Sequence, residues 1–471
     1  MDIVAELRRL LGPDALTTAP DDLAPLLQDH RHLFQGRALA LALPDSSHAV
    51  ASLIAFCNRH RIAVVPQGGN TGYCGGATPD AQGKALLLSM RRMNRIRAVD
   101  AEDFALVAEA GCTLAQVQAA AEAAGRYFPL SLGSEGTCQI GGNLATNAGG
   151  TAVLRYGMMR ELTLGIEAVL ADGSLFSQLS PLRKDNTGYD LKGLLIGSEG
   201  TLGIITAACL KLYPAVRTHA TAWIALASAT DALSVLALLR ERSADRLVTC
   251  ELVPQAALEL VLRHIPAARD PGVAPAPWYL LVELASSGDD ELDALLEGAL
   301  GAALQQRLIQ DAAVARNGAQ REDFWRLRES VPAAQRAAGA SLKHDVSVPV
   351  ARIPAFIERG AALVERQIPE GFLVAYGHIG DGNLHFNVNQ RAGADPAAFA
   401  AREAPLKRAV HDLVASMGGS FSAEHGIGQL KVAELERYAQ PAELAAMRAI
   451  KQALDPNGIL NPGKVLRSTS S

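Results

Sequence analysis

The sequence predicts an α+β protein in two parts, and two observations lead to this prediction. In the first part, which ends near Pro214, short apolar strands alternate with helical segments and with loops rich in glycine. After Pro214, longer strand-like runs alternate with helical segments rich in alanine and leucine. The second pattern is typical of a sheet that is covered on one face by helices.

The elements of the first part follow from local signals. Ser46 or Ser47 is predicted to cap a helix with four apolar residues on one face: Val50, Leu53, Ile54 and Cys57. Strands are predicted over 62–65, 85–88 and 104–110, and a helix over 113–124. The pair Asp172-Gly173 predicts a hairpin turn between two further strands.

In the second part, the predicted strands cover 222–227, 247–252 and 278–284, and a surface loop covers 271–277. The last fifth of the chain is predicted to hold strands over 372–376 and 384–388. Helices near 396–416 and 431–454 and a terminal loop over 455–464 complete it.

Composition excludes several classes of protein. The 44 basic and 49 acidic residues give a formal net charge of −5, without the basic surface that nucleic-acid binding requires. The six cysteines are scattered singly and form no CxxC pair, so a thiolate zinc site and a redox dithiol are not indicated. The first residues have helical spacing with internal charges, and no apolar stretch reaches the ~18 residues that span a bilayer. We therefore expect a cytoplasmic protein that is not integral to a membrane.

Three glycine-rich segments share one chemistry. They are the first segment (66–76), the second segment (131–150) and the third segment (197–205). Glycine allows a close approach of the backbone to a ligand, and successive N–H groups form anion-binding concavities. None matches GxGxxG or the GxxxxGK[ST] phosphate loop, so the common nicotinamide and ATP sites are not supported. One such segment alone is more often a set of tight turns, but three favour a single large cofactor.

A second cluster lies downstream, in Gly377-HIGDGNLHFNV and Ala423-EHGIG. His378 and His385 flank a Gly-Asp-Gly turn, so a hairpin can bring both rings to one point. Glu424 supplies a carboxylate, and His425 follows it. Two imidazoles and one carboxylate suit Zn²⁺, Mn²⁺ or Fe²⁺. An isolated histidine pair more often belongs to the core or the surface, but the crowding of glycines around both segments favours a site.

These segments, together with Arg155-YGMMRELTLGIEAVLADG, Asp185-NTGYDLKGLLIGSEGTLGIIT and Asn461-PGK, closely resemble FAD-binding proteins of the vanillyl-alcohol-oxidase (PCMH) type. Within that family the chain is similar to the D-2-hydroxyglutarate and D-lactate dehydrogenase branch, from about residue 37 to the end. The resemblance implies an N-terminal helical segment (1–36) and a two-subdomain α+β FAD-binding domain (37–215). It also implies an antiparallel-sheet substrate domain covered by helices (216–425) and a C-terminal segment that returns to the flavin (426–471).

The resemblance implies that the glycine-rich segments and the C-terminal motif bind FAD. The expected contacts are Pro66, Gln67, Gly68, Gly69, Asn70, Thr71, Gly72, Gly133, Ser134, Thr137, Gly141, Gly142, Asn143, Thr146, Asn147, Gly149, Gly150, Glu199, Gly200, Gly203, Ile204, Ile205 and Asn461. Some relatives attach FAD through a histidine in the first segment. Because residues 68–71 contain no histidine, noncovalent FAD is predicted.

The resemblance also implies roles at the flavin face. His378, His385 and Glu424 are expected to ligate a divalent metal, with zinc as the leading ion. His425 is expected to act as general base, while hydride passes from C2 of the acid to flavin N5. Arg328, Lys343, Asn387, Tyr376 and His425 are expected to contact the substrate. Taken alone, Arg328 and Lys343 would be surface charges, and Tyr376 an ordinary aromatic residue of a strand.

One departure from the family leaves the substrate open. D-2-hydroxyglutarate enzymes typically have a threonine four residues after the arginine, where this chain has Pro332. D-2-hydroxyglutarate is the leading substrate, and D-lactate, D-malate and glycolate are the alternatives. The resemblance indicates an electron-transfer flavoprotein or a quinone as acceptor, and a homodimer is one arrangement left open. Alternatives of another class are a metal-dependent hydrolase or lyase and a noncatalytic flavin-binding protein.

Overall fold

A computed structural model describes residues 2–468 and divides the chain into two compact units. Unit 1 comprises Met1–Gly150, Gly157–Ala215 and Glu424–Ser471. Unit 2 comprises Thr151–Tyr156 and Val216–Ala423. Within residues 2–468, the helices are all too short or too polar to span a bilayer.

The first sheet of unit 1 has four strands and is built around a parallel crossover. Its strands, in spatial order, are Leu16–Thr17, Ala40–Ala42, Leu86–Ser89 and Val64–Gln67, and the last three are parallel. The predicted helix spans Ser47–His60, and the Ser46 hydroxyl caps it by accepting the N–H of Ala49. All four apolar residues of its predicted face are buried, so this face forms the core against the sheet.

The second sheet of unit 1 has five antiparallel strands. Their spatial order is Ile96–Asp100, Ala105–Glu109, Ile204–Lys211, Thr163–Val169 and Leu175–Gln178. The predicted turn at Asp172-Gly173 joins the last two strands, with Gly173 at a φ of 88° that favours glycine. The pair Arg126–Tyr127 and Tyr213–Pro214 forms a separate ribbon.

The remaining helices of unit 1 have between 4 and 14 residues, and the C-terminal chain returns to the first sheet. The helices are Ile3–Leu11, Pro20–Leu23, Leu114–Ala123, Ile140–Ala145, Leu191–Leu195, Val432–Tyr438 and Pro441–Leu454, with 3-10 turns at Pro13–Ala15 and Ala24–Leu26. Val64 donates its N–H to the Ile459 carbonyl and accepts the N–H of Asn461, both at 2.8 Å. This pairing places Asn461 beside the first glycine-rich segment.

Unit 2 is built on one large antiparallel sheet. In spatial order its strands are Asp311–Val314, Thr218–Leu226, Trp278–Ser286, Leu247–Pro254, Gly371–His378, Asn383–Gln390 and Ser341–Leu342, and Asp345–Ser347 also pairs with Asn383–Gln390. The α+β class and the antiparallel sheet of the second part are thus confirmed.

Helices cover both faces of this sheet, not the one face expected from the sequence. One face packs against Ala229–Ser243, Leu292–Gln305, Ile353–Gln367, Pro396–Ala400 and Glu403–Ser416. The other packs against Gln255–His264, Gly318–Glu329 and Val331–Ala338, while Val153–Tyr156 and the 3-10 turn Val350–Arg352 complete the unit. The physical reason is visible in Thr218–Leu226, where Ile224 is buried on one side and Trp223 on the other. A strand that is apolar on both faces must be covered on both faces.

Candidate active site

The first and second glycine-rich segments of unit 1 approach each other closely. A Cβ atom on Gly69 would lie 2.1 Å from the carbonyl oxygen of Thr137 in the second segment. A Cβ on Gly141 would lie 2.8 Å from Cβ of Ala110, just after the strand Ala105–Glu109. Only glycine fits at such positions. At Gly72, Gly133 and Gly142, in contrast, an added Cβ would meet nothing within 4 Å. The backbone at these three glycines therefore borders open space, as a bound cofactor requires.

Four non-glycine residues of the expected cofactor site have left-handed backbone conformations. They are Asn70, Asn147, Glu199 and Asn461, with φ values of 53°, 49°, 53° and 42°. Such conformations cost energy and tend to concentrate where a ligand is held. Three of the four are asparagine, the residue besides glycine that most readily adopts this region.

Buried polar atoms without a partner show where a polar ligand could bind in unit 1. Among the described residues of unit 1, four buried side-chain oxygens have no hydrogen-bond partner: Gln67 Oε1, Thr78 Oγ1, Gln139 Oε1 and Asn461 Oδ1. A buried polar atom without a partner is costly, so a ligand group is expected to satisfy it. Because these atoms lie in or beside the glycine-rich segments, the residues present fit a large polar cofactor such as FAD.

Several of the expected FAD contacts use their side chains within the protein. The Gln67 amide nitrogen donates to the carbonyls of Leu26 and Ala77, and the Thr146 hydroxyl donates to Gly142. Ile204 and Ile205 are buried on a central strand. Thr146, Ile204 and Ile205 would therefore contribute to FAD binding through their backbone and through local shape, whereas Gln67 still offers its Oε1. The FAD contacts assigned from the sequence stay predictions.

Glu199 has a role that the sequence did not indicate, since its carboxylate holds the loop 424–428. Oε1 accepts the N–H of Ile427 and Oε2 accepts the N–H of Gly428, both at 2.7 Å. The backbone carbonyl of Glu199 accepts from the Asn461 amide at 2.7 Å. Burial raises the pKa of Glu199, although the two N–H groups favour its charged form. This carboxylate anchors the loop that carries Glu424 and His425.

The glycines of loop 424–428 are required by its packing. Gly426 and Gly428 have φ values of 69° and 52°. A Cβ on Gly428 would lie 2.1 Å from the carbonyl oxygen of Cys74, and one on Gly426 would lie 2.8 Å from Oε1 of Glu199. The loop therefore sits directly against the first and third glycine-rich segments.

His425 stacks on Tyr73 of the first glycine-rich segment. Their ring centroids lie 4.6 Å apart with an angle of 15° between the planes, and His30 meets Tyr73 edge-on at 5.6 Å. This packing fixes the plane of the His425 ring. Tyr73 was missed at the sequence level, where its only signal was an aromatic residue inside a glycine-rich loop.

In unit 2, His378 and His385 come together as the sequence predicted. The strands Gly371–His378 and Asn383–Gln390 form a hairpin, and the two imidazole centroids are 6.0 Å apart. One ring nitrogen of each lies within 4.8 Å of the other, close enough for both to bind one ion. Gly382 closes the turn at a φ of 91°, and a Cβ there would lie 2.2 Å from the Val348 carbonyl oxygen.

Glu251 joins His378 to Arg328. Its Oε1 lies 2.5 Å from Nδ1 of His378, and its Oε2 accepts Nε–H of Arg328 at 2.7 Å. Burial opposes the charge on Glu251, but His378 and Arg328 outweigh that effect and lower its pKa to about 2. The Arg328 guanidinium also lies over the ring of Tyr376, 4.8 Å from its centroid. Three of the predicted site residues thus share one buried network.

A second buried carboxylate, Glu283, lies on the same face of the sheet. Glu251 pairs with Leu281 on the neighbouring strand, and Glu283 follows two residues later. Glu283 accepts hydrogen bonds from Arg321 at 2.7 Å and from Trp325 at 2.8 Å. Because these two residues and Arg328 follow helical spacing, one face of the helix Gly318–Glu329 binds both carboxylates.

Neither glutamate was singled out from the sequence. The available signal was a single acidic residue within an otherwise apolar strand, in Leu247-VTCELVP and in Trp278-YLLVELAS. A charge at such a position is rarely buried unless it is paired.

The other predicted substrate contacts lie along the same sheet. Asn387 is buried, accepting the N–H of His344 at 3.2 Å and donating to Gln335 at 3.0 Å. Lys343 lies between the short strands Ser341–Leu342 and Asp345–Ser347. Pro332 occupies the first turn of the helix Val331–Ala338, where proline is tolerated because the N–H it lacks has no partner within the helix.

Comparisons with known proteins identify the family of this chain. Residues 38–177 match the family model described as FAD binding domain, and residues 216–465 match FAD linked oxidases, C-terminal domain. The chain is 35% identical over 463 residues to D-2-hydroxyglutarate dehydrogenase, mitochondrial, from Arabidopsis thaliana, covering 98% of this chain and 81% of the relative. It is 37% identical over 465 residues to D-2-hydroxyglutarate dehydrogenase from Xanthomonas citri pv. viticola, covering 99% and 97%. Among solved structures, p-cresol methylhydroxylase has the same fold, with a TM-score of 0.75 at 18% identity over 98% of this chain and 96% of that one.

Proposed function

We propose that this chain, which belongs to the FAD-linked oxidases with a PCMH-type FAD-binding domain, oxidises D-2-hydroxyglutarate to 2-oxoglutarate. The relatives that match nearly the whole chain are named for that activity. The structural observation that best supports it is the network in which Glu251 joins Arg328 to His378. This network places Arg328, which suits a carboxylate, beside His378, which suits a metal. A 2-hydroxy acid requires both kinds of group.

Recognition of the acid is assigned to Arg328 and Lys343. A guanidinium has five N–H donors, and the one on Nε of Arg328 is directed to Glu251. The terminal nitrogens of a guanidinium can bind a carboxylate through two parallel hydrogen bonds. Stacking over Tyr376 holds the plane of the fork. Asn387 is proposed to contact the substrate from the neighbouring strand.

The metal is proposed to bind His378, His385 and Glu424. Two imidazoles and a carboxylate form a donor set that suits zinc, and also Mn²⁺ or Fe²⁺. Within unit 2, Ser420 bridges to Ser347, on a strand that also pairs with the strand carrying His385. Glu424 follows Ser420 by four residues, a reach of roughly 14 Å at most. When bound, such an ion makes the hydroxyl of an acid easier to deprotonate.

Proton removal from the C2 hydroxyl is assigned to His425. Imidazole has a reference pKa near neutrality, which suits a general base at physiological pH. The Tyr73 ring and the anchored loop 424–428 orient it. FAD supplies the hydride acceptor, held without a covalent bond by the glycine-rich segments. We further propose an electron-transfer flavoprotein or a quinone as the final electron acceptor.

D-lactate, D-malate and glycolate remain the alternative substrates, because Pro332 provides no hydroxyl to a distal carboxylate. A metal-dependent hydrolase is set aside, since the chain belongs to a family of FAD-linked oxidoreductases.

The decisive test is anaerobic titration of the purified flavoprotein with D- and L-2-hydroxyglutarate, D-malate, D-lactate and glycolate, while the flavin absorbance is followed. We expect D-2-hydroxyglutarate to bleach the flavin at lower concentrations than any of the other acids. Reduction by the monocarboxylic acids alone would overturn the proposed substrate, and no bleaching by any of them would overturn the proposed activity.

A further inference from the structure

The buried carboxylate of Glu251 divides its two oxygens between two different functional side chains. Oε1 faces Nδ1 of His378 and Oε2 accepts Nε–H of Arg328. The side chain of Glu251 is only 1% exposed. Water therefore has no access to replace either partner, and the carboxylate is committed to both.

The contact with His378 determines which ring nitrogen faces away from Glu251. Nδ1 is held at 2.5 Å from Oε1, so Nε2 points to the opposite side of the ring. A histidine that binds a metal through one nitrogen commonly donates from the other to a carboxylate, which fixes the tautomer and increases the basicity of the ligand. Glu251 and His378 are also direct partners in strand pairing, so the backbone supports the same geometry.

The contact with Arg328 acts in the same way on the acid-binding group. Holding Nε sets the direction of the planar fork, while the ring of Tyr376 restricts its rotation. A displacement of Glu251 would therefore change the position of His378 and Arg328 together.

From this geometry we infer that Glu251 is a positioning residue that sets both the metal-binding histidine and the acid-binding arginine. The inference rests on the proposed function, because it assigns those roles to His378 and Arg328. It goes beyond that proposal by predicting that one buried carboxylate controls metal affinity and acid affinity together.

The chain offers a matched control in Glu283. This glutamate is buried on the same face of the same sheet, and the same helix, Gly318–Glu329, covers it. Its partners are Thr221, Arg321, Trp325 and His219, and none of them is assigned to the metal or the substrate. A purely structural loss of a buried carboxylate should thus have the same effect at both positions, whereas a positioning role should appear only at Glu251.

The test measures Zn²⁺ affinity of the flavin-loaded, chelator-stripped enzyme by competition with a chromogenic chelator. Glu251→Gln is expected to weaken zinc binding roughly 10- to 100-fold, the usual loss when the partner of a metal-binding histidine is removed. Glutamine has one acceptor oxygen, so it cannot accept from both partners. The KM of Glu251→Gln for the acid is expected to rise as well. Glu283→Gln is expected to keep wild-type zinc affinity.

A second variant covers the case in which Glu251→Gln does not fold. Glu251→Asp keeps the charge but is one methylene shorter, so it cannot reach both partners, and a smaller loss of zinc affinity is expected. Wild-type zinc affinity in a folded Glu251 variant, or an equal loss in Glu283→Gln, would overturn the inference.

His378→Ala separates this outcome from failure of the proposed function. If His378→Ala loses zinc while Glu251→Gln binds it normally, only the role of Glu251 is wrong. If His378→Ala keeps wild-type affinity, the proposed metal site is itself wrong.

Discussion

Oε2 of Glu199 accepts the backbone N–H of Gly428 at 2.7 Å, across 229 residues of sequence. With the matching bond from Ile427, it fixes the loop that presents Glu424 and His425. The geometry of these two residues thus depends on a carboxylate that does not itself belong to the proposed reaction.

Replacing Glu199 by glutamine should loosen this loop. The glutamine amide would direct its NH₂ group at one of two backbone donors, at a cost of about 1–3 kcal/mol. We expect faster hydrogen exchange at residues 424–430 and a fall in kcat of roughly tenfold or more. Glu122→Gln, exposed on the helix Leu114–Ala123, serves as the control. Unchanged exchange in Glu199→Gln would contradict the anchoring role.

Gly428→Ala tests the close packing of the same loop. The added Cβ would lie 2.1 Å from the Cys74 carbonyl oxygen at a φ of 52°, so a loss of about 2–5 kcal/mol is expected. Gly298→Ala is the contrasting variant, since its Cβ would meet nothing within 4 Å inside the helix Leu292–Gln305. Helix propensity predicts that it stabilises the protein by roughly 1 kcal/mol. Thermal unfolding measures the Tm of both variants, and Gly428→Ala is expected to have the lower value. Equal Tm values would show that the packing argument is wrong.

FAD is expected to leave the protein on denaturation. Residues 68–71 read Gly-Gly-Asn-Thr and offer no histidine for a covalent bond to the flavin. Precipitation with trichloroacetic acid should therefore leave the yellow colour in the supernatant. A yellow pellet would show that another residue forms a covalent link.

Arg328→Ala should mainly weaken binding of the acid. Removing the guanidinium leaves Oε2 of Glu251 and the substrate carboxylate without their partner, at a cost of about 2–4 kcal/mol. The kinetic signature is a raised KM for the acid. Arg326→Ala is the control on the same helix, because Arg326 is more exposed and pairs with Asp323. If both variants had the KM of the wild type, Arg328 could not be the acid-binding group.

Acid should destabilise unit 2 through Glu283. Burial opposes its charge, but hydrogen bonds from His219 and Arg321 lower its pKa to about 2 from the ordinary value of 4.5. A carboxyl group with a lowered folded-state pKa stabilises the fold fully above about pH 4.5, and this stabilisation, about 3 kcal/mol, is lost as the pH falls towards 2.

Urea unfolding at several pH values measures this loss. All three tryptophans, Trp223, Trp278 and Trp325, lie in unit 2, so their fluorescence reports on it. Glu283→Gln should be less stable at neutral pH and should lose less stability between pH 5 and pH 3 than the wild type. Parallel pH dependence in the two proteins would rule out this contribution.

Local sequence was sufficient to predict those features of the fold whose physical cause lies within one short stretch of the chain. The helix Ser47–His60 could be predicted because its cap and its apolar face lie within one stretch of sequence. The meeting of His378 and His385 could be predicted because a short turn joins their strands. The family resemblance added the prediction that the glycine-rich segments bind FAD, and close approach and left-handed backbone account for several of their glycines.

Partners far apart in sequence could not be assigned in this way. Glu251 precedes His378 by 127 residues and Arg328 by 77, and their contact depends on which strands become neighbours and on where one helix crosses them. Strand periodicity shows which face a residue occupies, but it does not show what lies opposite.

By itself, the sequence determined the α+β class and the family resemblance, from which the FAD-binding segments and the chemically active side chains were predicted. Only the tertiary structure decided that helices cover both faces of the large sheet, that Glu199 anchors loop 424–428, and that Glu251 holds His378 and Arg328. The physical reason is that a buried charge must be paired, and its partner is chosen by packing across the fold and not by neighbours along the chain.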